Sequence, residues 1–177
     1  MGPGLLYNHA AKTAVNGIDR STEGTNVSAR LCNNISAVTF VSKYKAVCQP
    51  IADQLDLPVE NLLGLAAQES QYGTGRIARE LNNYFSMHAP APLQIGAEAP
   101  LGNASIKVAK FDSFQKSAQS FASSFGTAVR GQRDPMAFAQ ALVRSGYNTG
   151  NAKTGGRDGF ARYLADIIIA VRGRMAC

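Results

Sequence analysis

A glutamate ends an apolar segment with helical spacing, at a position where a charge is costly to bury. Glu69 follows Leu62, Leu65 and Ala66 on one helical face, so its carboxyl group lies on the apolar side of the predicted helix. An apolar pocket disfavours the ionised carboxylate and raises its pKa. A carboxyl group that stays protonated near neutral pH can act as a general acid. A glutamate that swings from the helix end into solvent would have no such role, and the helix pattern alone leaves both interpretations open.

Short motifs around and after Glu69 narrow the choice. In chain order they are AAQESQYGTGR at residues 66–76, NNYFSM at 82–87, VAKFDSFQKSAQSF at 108–121 and RSGYNTGN at 144–151. Together they resemble the motifs of the flagellar and autolysin-type N-acetylglucosaminidases, glycoside hydrolases of the lysozyme superfamily. The resemblance extends over about residues 37–172.

The resemblance implies a lysozyme-like fold and cleavage of the β-1,4 glycan strand of peptidoglycan. It makes Glu69 the catalytic acid and Tyr147 an active-site tyrosine close to the scissile sugar. The residues that match positions lining the cleft or packing beside the acid are Ser70, Tyr72, Asn83, Tyr84 and Phe85. No cofactor is implied, and two histidines make a metal centre improbable.

The chain departs from the family pattern close to the acid. Tyr72 stands where the family often has tryptophan, and Ser86 stands where it usually has glycine. The extra residues NAKTGGRD precede the last predicted helix, where we expect them to alter the cleft edge or to contact a partner. His88 is either at the cleft edge or an ordinary surface histidine.

No motif marks a second carboxylate. Hydrolysis also needs a group that activates water or stabilises the oxocarbenium-like transition state. Glu98 is the candidate, because it is the acidic residue between Glu80 and Asp112, in the region from which the family often takes this group. The alternatives are that Glu98 is an ordinary loop glutamate, and that the substrate's N-acetyl group or Tyr147 assists the attack of water.

The elements that must position these residues are mainly helical. Apolar residues at helical spacing predict a helix over residues 37–55, one that starts near Pro58, and others over 111–129, 134–146 and 158–173. LQIG and ASIKVAKF predict a small β-hairpin insertion around residues 86–110. The fold class is therefore mainly α, an α+β lysozyme-like glucosaminidase domain at residues 37–177 after an N-terminal arm or lead-in at residues 1–36.

Details of the helix ends can also be predicted. Pro50 is expected to split or kink the first helix. Asp112 and Asp134 are the expected N-caps of two later helices, with Pro135 in the first turn and Gly146 as a terminator.

The charge and the hydropathy of the sequence limit the classes of partner that it can bind. The net charge of +6 favours a polyanionic partner, such as nucleic acid, an anionic membrane or a carboxylate-rich cell wall. The chain shows no helix-turn-helix signature, so nucleic acid is not an expected partner, and its apolar runs are too short for membrane insertion.

Compartment and role are predicted from the cysteines and the N-terminus. Cys32 and Cys48 either form one disulfide in an oxidising compartment or remain free buried thiols. The N-terminus lacks the pattern of a Sec signal peptide. The sequence also shows no cell-wall repeat module and no flagellar rod-binding domain. For a wall hydrolase, these features favour an antibacterial toxin that is made in the bacterial cytoplasm, exported by a type VI-like machine and active in a target cell's periplasm. Such a toxin implies a cognate immunity protein that occludes the cleft.

Several functions fit the motifs. The first hypothesis is an endo-N-acetylglucosaminidase that acts on peptidoglycan. A muramidase or a lytic transglycosylase of the same fold is the alternative, with a phage endolysin as the alternative role. An inactive cell-wall-binding module is the hypothesis from outside the enzymes, and the intact motif around Glu69 argues against it.

Overall fold

Helices account for most of the structure, a computed structural model that describes residues 28–99, 105–148 and 150–177. A helical segment at residues 28–33 comes first. It is followed by α1 (Ile35–Gln54), α2 (Val59–Ser70), α3 (Arg76–Leu81), β1 (Gly96–Glu98), β2 (Val108–Lys110), α4 (Phe114–Val129), α5 (Pro135–Arg144) and α6 (Gly156–Arg174). The predicted fold class, a helical domain with a small β insertion, is confirmed.

Helix α2 lies in the centre of the core and carries Glu69 at its C-terminal end. Its apolar residues are almost completely buried against α1 and α6, and they include Leu62, Leu63, Leu65, Ala66 and Ala67. Gly64 permits the close approach of α6, because a Cβ atom there would lie 2.7 Å from Ile168 Cγ1 and 3.0 Å from Ile168 Cα. This contact fixes the end of α2 relative to the helix that follows the Tyr147 loop.

The helix ends differ in two places from the prediction. Helix α1 runs unbroken through Pro50. Proline cannot donate the helical hydrogen bond to the carbonyl of Ala46. Because Ala46 and Pro50 are both solvent-exposed, this carbonyl is not left buried without a partner. The N-cap of α4 is Ser113 rather than Asp112, and its side chain accepts a hydrogen bond from Lys116 N. Asp134 caps α5 as predicted, by accepting a hydrogen bond from Ala137 N.

The predicted hairpin is present, with its first strand slightly later than LQIG. Strands β1 and β2 are antiparallel, with Gly96 opposite Lys110 and Glu98 opposite Val108. Val108 also forms a bridge with His88 on its other side. Strand β2 therefore lies between Glu98 and the segment that follows the NNYF motif.

Of the two alternatives for Cys32 and Cys48, the disulfide between them is wrong, because Cys32 is bonded to Cys177. Cys48 is fully buried in the core and is a free thiol, whose pKa burial raises to about 12. The stretch of α1 before Cys48 is about 20 Å long at the helical rise, whereas a disulfide requires Cα atoms within about 7 Å. Cys32 and Cys177 meet because the first and last helical segments pack together.

The first described segment is attached to the end of the chain. Besides the disulfide, the Arg174 side chain donates a hydrogen bond to the Leu31 carbonyl at 3.3 Å. The domain boundary at residue 36 stays a prediction, since residues 1–27 lie outside the described part of the chain. Within the described ranges, no helix is both long and apolar enough to cross a membrane.

Candidate active site

Glu69 lies in the last turn of α2 with a partly buried side chain. Its Oε2 atom accepts a hydrogen bond from Ser86 Oγ at 2.9 Å. Burial raises the pKa of the Glu69 carboxyl, and the Ser86 hydrogen bond offsets part of that rise. The carboxyl group therefore keeps its proton to higher pH than an exposed glutamate, as the apolar helix face predicts.

The Glu69 carboxyl group opens onto a cavity of about 350 Å³, called here the acid cavity. It lies where the end of α2 meets the segment after the NNYF motif and the loop after α5. Its lining residues are Glu69, Ser86, His88, Gly146, Tyr147 and Asn148. The structure thus brings Glu69 and Tyr147 together, and it places His88 at the cavity wall.

Tyr147 is fixed by its neighbours on both sides. Its hydroxyl donates a hydrogen bond to the Phe85 carbonyl at 2.5 Å, and its ring packs edge-on against Phe121 and Phe125. Burial, and then the charge of Glu69, raises the pKa of Tyr147 well above the ordinary tyrosine value. Tyr147 is therefore a neutral phenol next to the acid.

Ser86 adopts a backbone conformation that usually favours glycine. Its φ angle is +50°, in the left-handed region. The segment is fixed by buried Asn83, whose side-chain amide donates to the carbonyls of Met87 and Ala109 and accepts from Met87 N, each at 2.9 Å. The Asn83 clamp aims the Ser86 hydroxyl at the carboxyl group of Glu69.

Ser70 and Phe85, which were also predicted as substrate-side residues, are buried and pack beneath the site. Ser70 is buried, and its hydroxyl donates to the Ala66 carbonyl at 2.6 Å and accepts from Gly73 N at 2.8 Å. Phe85 is fully buried and reaches the site only through its carbonyl. Neither side chain lines the acid cavity.

Tyr72 and Tyr84 lie on a separate surface. They line a different cavity, together with Phe40 and Tyr44. The Tyr72 hydroxyl accepts a hydrogen bond from Arg174 at 2.7 Å, and the hydroxyls of Tyr84 and Tyr44 are 3.0 Å apart. The structure therefore does not bring these tyrosines to the acid.

Glu98 is exposed on β1 and does not line the acid cavity. It lies across β2 from His88, and two strand spacings put their backbones about 10 Å apart. Among the described residues that line the cavity, Glu69 is the only carboxylate.

The sequence prediction missed three residues of the acid cavity as site residues. Ser86 was noted as a departure from glycine and Gly146 as a helix terminator, whereas Asn148 entered only as part of the motif RSGYNTGN. Their position inside two recognised motifs was the available signal, since Ser86 lies in NNYFSM and the other two flank Tyr147 in RSGYNTGN. In the described ranges, no group of histidine, cysteine and acidic residues is arranged to hold a metal ion.

Comparisons with known proteins agree with this geometry. A family model described as "Glucosaminidase: Mannosyl-glycoprotein endo-beta-N-acetylglucosaminidase" matches residues 45–171. No curated protein sequence gives a significant match.

Solved structures are similar over most of the chain. A structure of a type VI secretion system effector–immunity complex from Pseudomonas protegens contains a chain 94% identical to this one, with a TM-score of 0.77, covering 84% of this chain and 99% of that one. A peptidoglycan hydrolase from Sphingomonas sp. A1 is 24% identical with a TM-score of 0.65, covering 78% and 93%. The glycoside hydrolase domain of Salmonella typhimurium FlgJ is 21% identical with a TM-score of 0.55, covering 77% and 97%, and these two distant structures share the fold.

Proposed function

Because the chain belongs to the glucosaminidase family, we propose that it cleaves the β-1,4 glycan strand of peptidoglycan as an endo-N-acetylglucosaminidase, with Glu69 as the general acid. The observation that carries the proposal is the placement of Glu69. Its carboxyl group is partly buried, has a raised pKa and faces a cavity shared with Tyr147. A peptidoglycan hydrolase has a similar fold, which supports a fold suited to this reaction.

Glu69 supplies the proton for the departing sugar. The protonated carboxyl donates to the glycosidic oxygen as the bond to the anomeric carbon breaks, so the leaving group departs as a neutral alcohol. A water molecule forms the new bond to the anomeric carbon, and the proton it releases restores the carboxyl group. The Ser86 hydroxyl donates to Oε2, which leaves Oε1 as the oxygen that carries the transferred proton. Tyr147 remains neutral and adds no negative charge beside the ionising acid.

The test is digestion of purified peptidoglycan by the wild-type protein and by Glu69→Gln. Fragments are reduced with borohydride and identified by mass spectrometry. Reduced glucosamine ends from the wild type, and none from the variant, are expected because glutamine keeps the shape of glutamate but cannot donate an acidic proton. A folded Glu69→Gln protein with full activity would contradict the role of Glu69.

One observation favours a second candidate on the same site. Glu69 is the only carboxylate among the described residues lining the acid cavity, and a lytic transglycosylase needs only one. In that reaction the muramic acid 6-hydroxyl attacks the anomeric carbon in place of water. Anhydro ends in the same digestion would identify a transglycosylase, and reduced muramic ends would identify a muramidase.

The role proposed for the enzyme is that of an antibacterial effector. The 94% identical chain comes from a type VI effector–immunity complex, which supports export by that route and action in a target cell's periplasm. It also supports a cognate immunity protein that occludes the cleft. The test is the peptidoglycan digestion in the presence of this inhibitor, which should stop the release of fragments at an equimolar ratio.

A further inference from the structure

A larger cavity adjoins the acid cavity. It has a volume of about 720 Å³, within the range of about 300–1,000 Å³ that is usual for ligand sites. It is called here the Tyr163 cavity, and its polar and aromatic lining includes Gln68, Asn148, Asn151, Arg162, Tyr163 and Asp166. Asn148 lines both cavities, and Gln68 directly precedes Glu69 on α2. An extended ligand that runs from Glu69 past Asn148 therefore enters the Tyr163 cavity.

The wall of this cavity holds a buried acceptor that lacks a partner. Gln68 Oε1 is buried and has no hydrogen-bond partner among the described residues. A buried polar atom without a partner is destabilising, so such atoms are rare in folded proteins. Gln68 itself lines the cavity, so a rotation of its side-chain amide toward a ligand hydroxyl or amide N–H would satisfy this atom.

The lining of this cavity also includes an exposed aromatic ring. Tyr163 is 60% exposed although it lies on α6, whose other face packs in the core. It shares the cavity wall with Phe160 and with Gly159, one helical turn before it. An exposed ring beside amide side chains is a combination that suits a sugar, which has apolar C–H faces and polar edges.

The charges of the cavity favour a neutral ligand. Arg162 and Asp166 contribute one charge of each sign, although the whole chain has a net charge of +6. A site for a polyanion would concentrate the positive charge. The saccharide backbone of the glycan strand carries the required hydroxyl and N-acetyl donors.

We propose that the Tyr163 cavity is a saccharide subsite that binds a sugar unit of the same glycan strand, beyond the bond cleaved at Glu69. The subsite rests on the proposed function. Tyr163 stacks on the sugar, and Gln68 Oε1 accepts a hydrogen bond from a sugar hydroxyl or N-acetyl group. The extra residues before α6 contribute Asn151 to its rim.

The experiment measures kcat/KM on peptide-free glycan strands of different length, prepared by amidase digestion of peptidoglycan. The wild type should cleave long strands more efficiently than short ones, because only long strands reach the subsite. In Tyr163→Ala the ratio of kcat/KM on long strands to that on short strands should fall about tenfold, which corresponds to about 1.4 kcal/mol of binding. Gln68→Leu should reduce the ratio in the same direction.

Two control variants separate the subsite from general effects. Tyr163→Phe keeps the ring and should keep the wild-type ratio. Ile169→Ala removes another exposed side chain of α6, one that is 53% exposed and outside the cavity, and should also keep it.

Unchanged ratios in Tyr163→Ala and Gln68→Leu would overturn the subsite, and so would a loss seen only on strands that carry stem peptides, since the cavity would then bind peptide. A wild type that cleaves no strand would contradict the proposed function instead. In that case, the Kd of glycan strands for Glu69→Gln is measured with and without the additional change Tyr163→Ala. A Kd that depends on strand length only when Tyr163 is present would support the subsite, and equal Kd values would overturn it.

Discussion

Three side chains set the proton chemistry of the acid cavity, Glu69, Ser86 and Tyr147. Burial raises the pKa of the Glu69 carboxyl group, and Ser86 partly opposes that rise by donating a hydrogen bond to it. In the proposed mechanism, the acidity of Glu69 therefore depends on a balance between an apolar helix face and one hydroxyl group.

Removal of the Ser86 hydroxyl should shift the pH dependence of cleavage. The Ser86 hydrogen bond lowers the pKa of Glu69, so Ser86→Ala should raise that pKa. A general acid works while it is protonated, and the alkaline limb of kcat/KM should consequently move to higher pH. The measurement is a pH–rate profile of peptidoglycan digestion, together with kcat, which should fall because the carboxyl group is less well oriented.

Ser86→Gly is the matched variant for this prediction. It removes the same hydroxyl but relaxes the left-handed backbone at φ +50°. It should show the same shift of the alkaline limb without the backbone strain of Ser86→Ala. Unchanged pH profiles in both variants would show that Ser86 has no influence on the acid.

Glu69→Gln should be more stable than the wild type at neutral pH. The folded-state pKa of Glu69 is raised, so the stability associated with its protonated form is complete below the ordinary glutamate pKa and is lost as pH rises through the raised value. Glutamine stays neutral and avoids this loss. Thermal unfolding from acid to neutral pH should show a Tm difference that grows with pH. Glu98→Gln, at an exposed position, is the control and should not show it.

At the scale of elements, the packing of α2 on α6 fixes the acid relative to the Tyr147 loop. Gly64→Ala should destabilise this contact by about 1–3 kcal/mol, because the new methyl group would meet the backbone and side chain of Ile168. Chemical denaturation measures the change, and cleavage activity should fall with it.

Gly126→Ala is the control for that substitution. Its Cβ would lie 2.8 Å from Leu55 Cδ2, the far end of a flexible side chain that can move aside. The gain in helix propensity, about 1 kcal/mol, then offsets the crowding, so this variant should be close to neutral. Equal losses in the two variants would contradict the importance of the α2–α6 approach.

The elements were predictable because local rules determine them. Helical spacing predicts α4 to α6, and Asp134 with Pro135 marks the start of α5. The disulfide was not predictable, since it depends on which ends of the chain meet after folding. The positions of Tyr72 and Tyr84 were not predictable either, because motif residues near an acid serve equally well as packing. The role of Ser86 required its φ angle and its distance to Glu69.

At the scale of the whole molecule, the Cys32–Cys177 bond links segments separated by 145 residues. The loss of chain entropy in the unfolded state predicts that a bond of this span stabilises the fold by about 5 kcal/mol. Measured disulfide contributions to stability are typically about 2–4 kcal/mol. Reduction should therefore lower Tm by roughly 5–15 °C in a chain of this size. Thermal unfolding with and without dithiothreitol measures the shift.

Cysteine variants control for that measurement. Cys32→Ser and Cys177→Ser should each match the reduced wild type and should not respond to dithiothreitol. A variant that still loses stability on reduction would indicate that the reductant acts elsewhere.

The same bond closes most of the chain into a covalent ring. From residue 32 to residue 177 the covalent structure is a closed ring. A protease that cuts one peptide bond between α5 and α6 would open the ring without releasing a fragment, and the two pieces would remain at a high effective concentration. Two cuts are needed to separate Glu69 from Tyr147. A chain built in this way can be nicked once and still keep Glu69 and Tyr147 in one molecule.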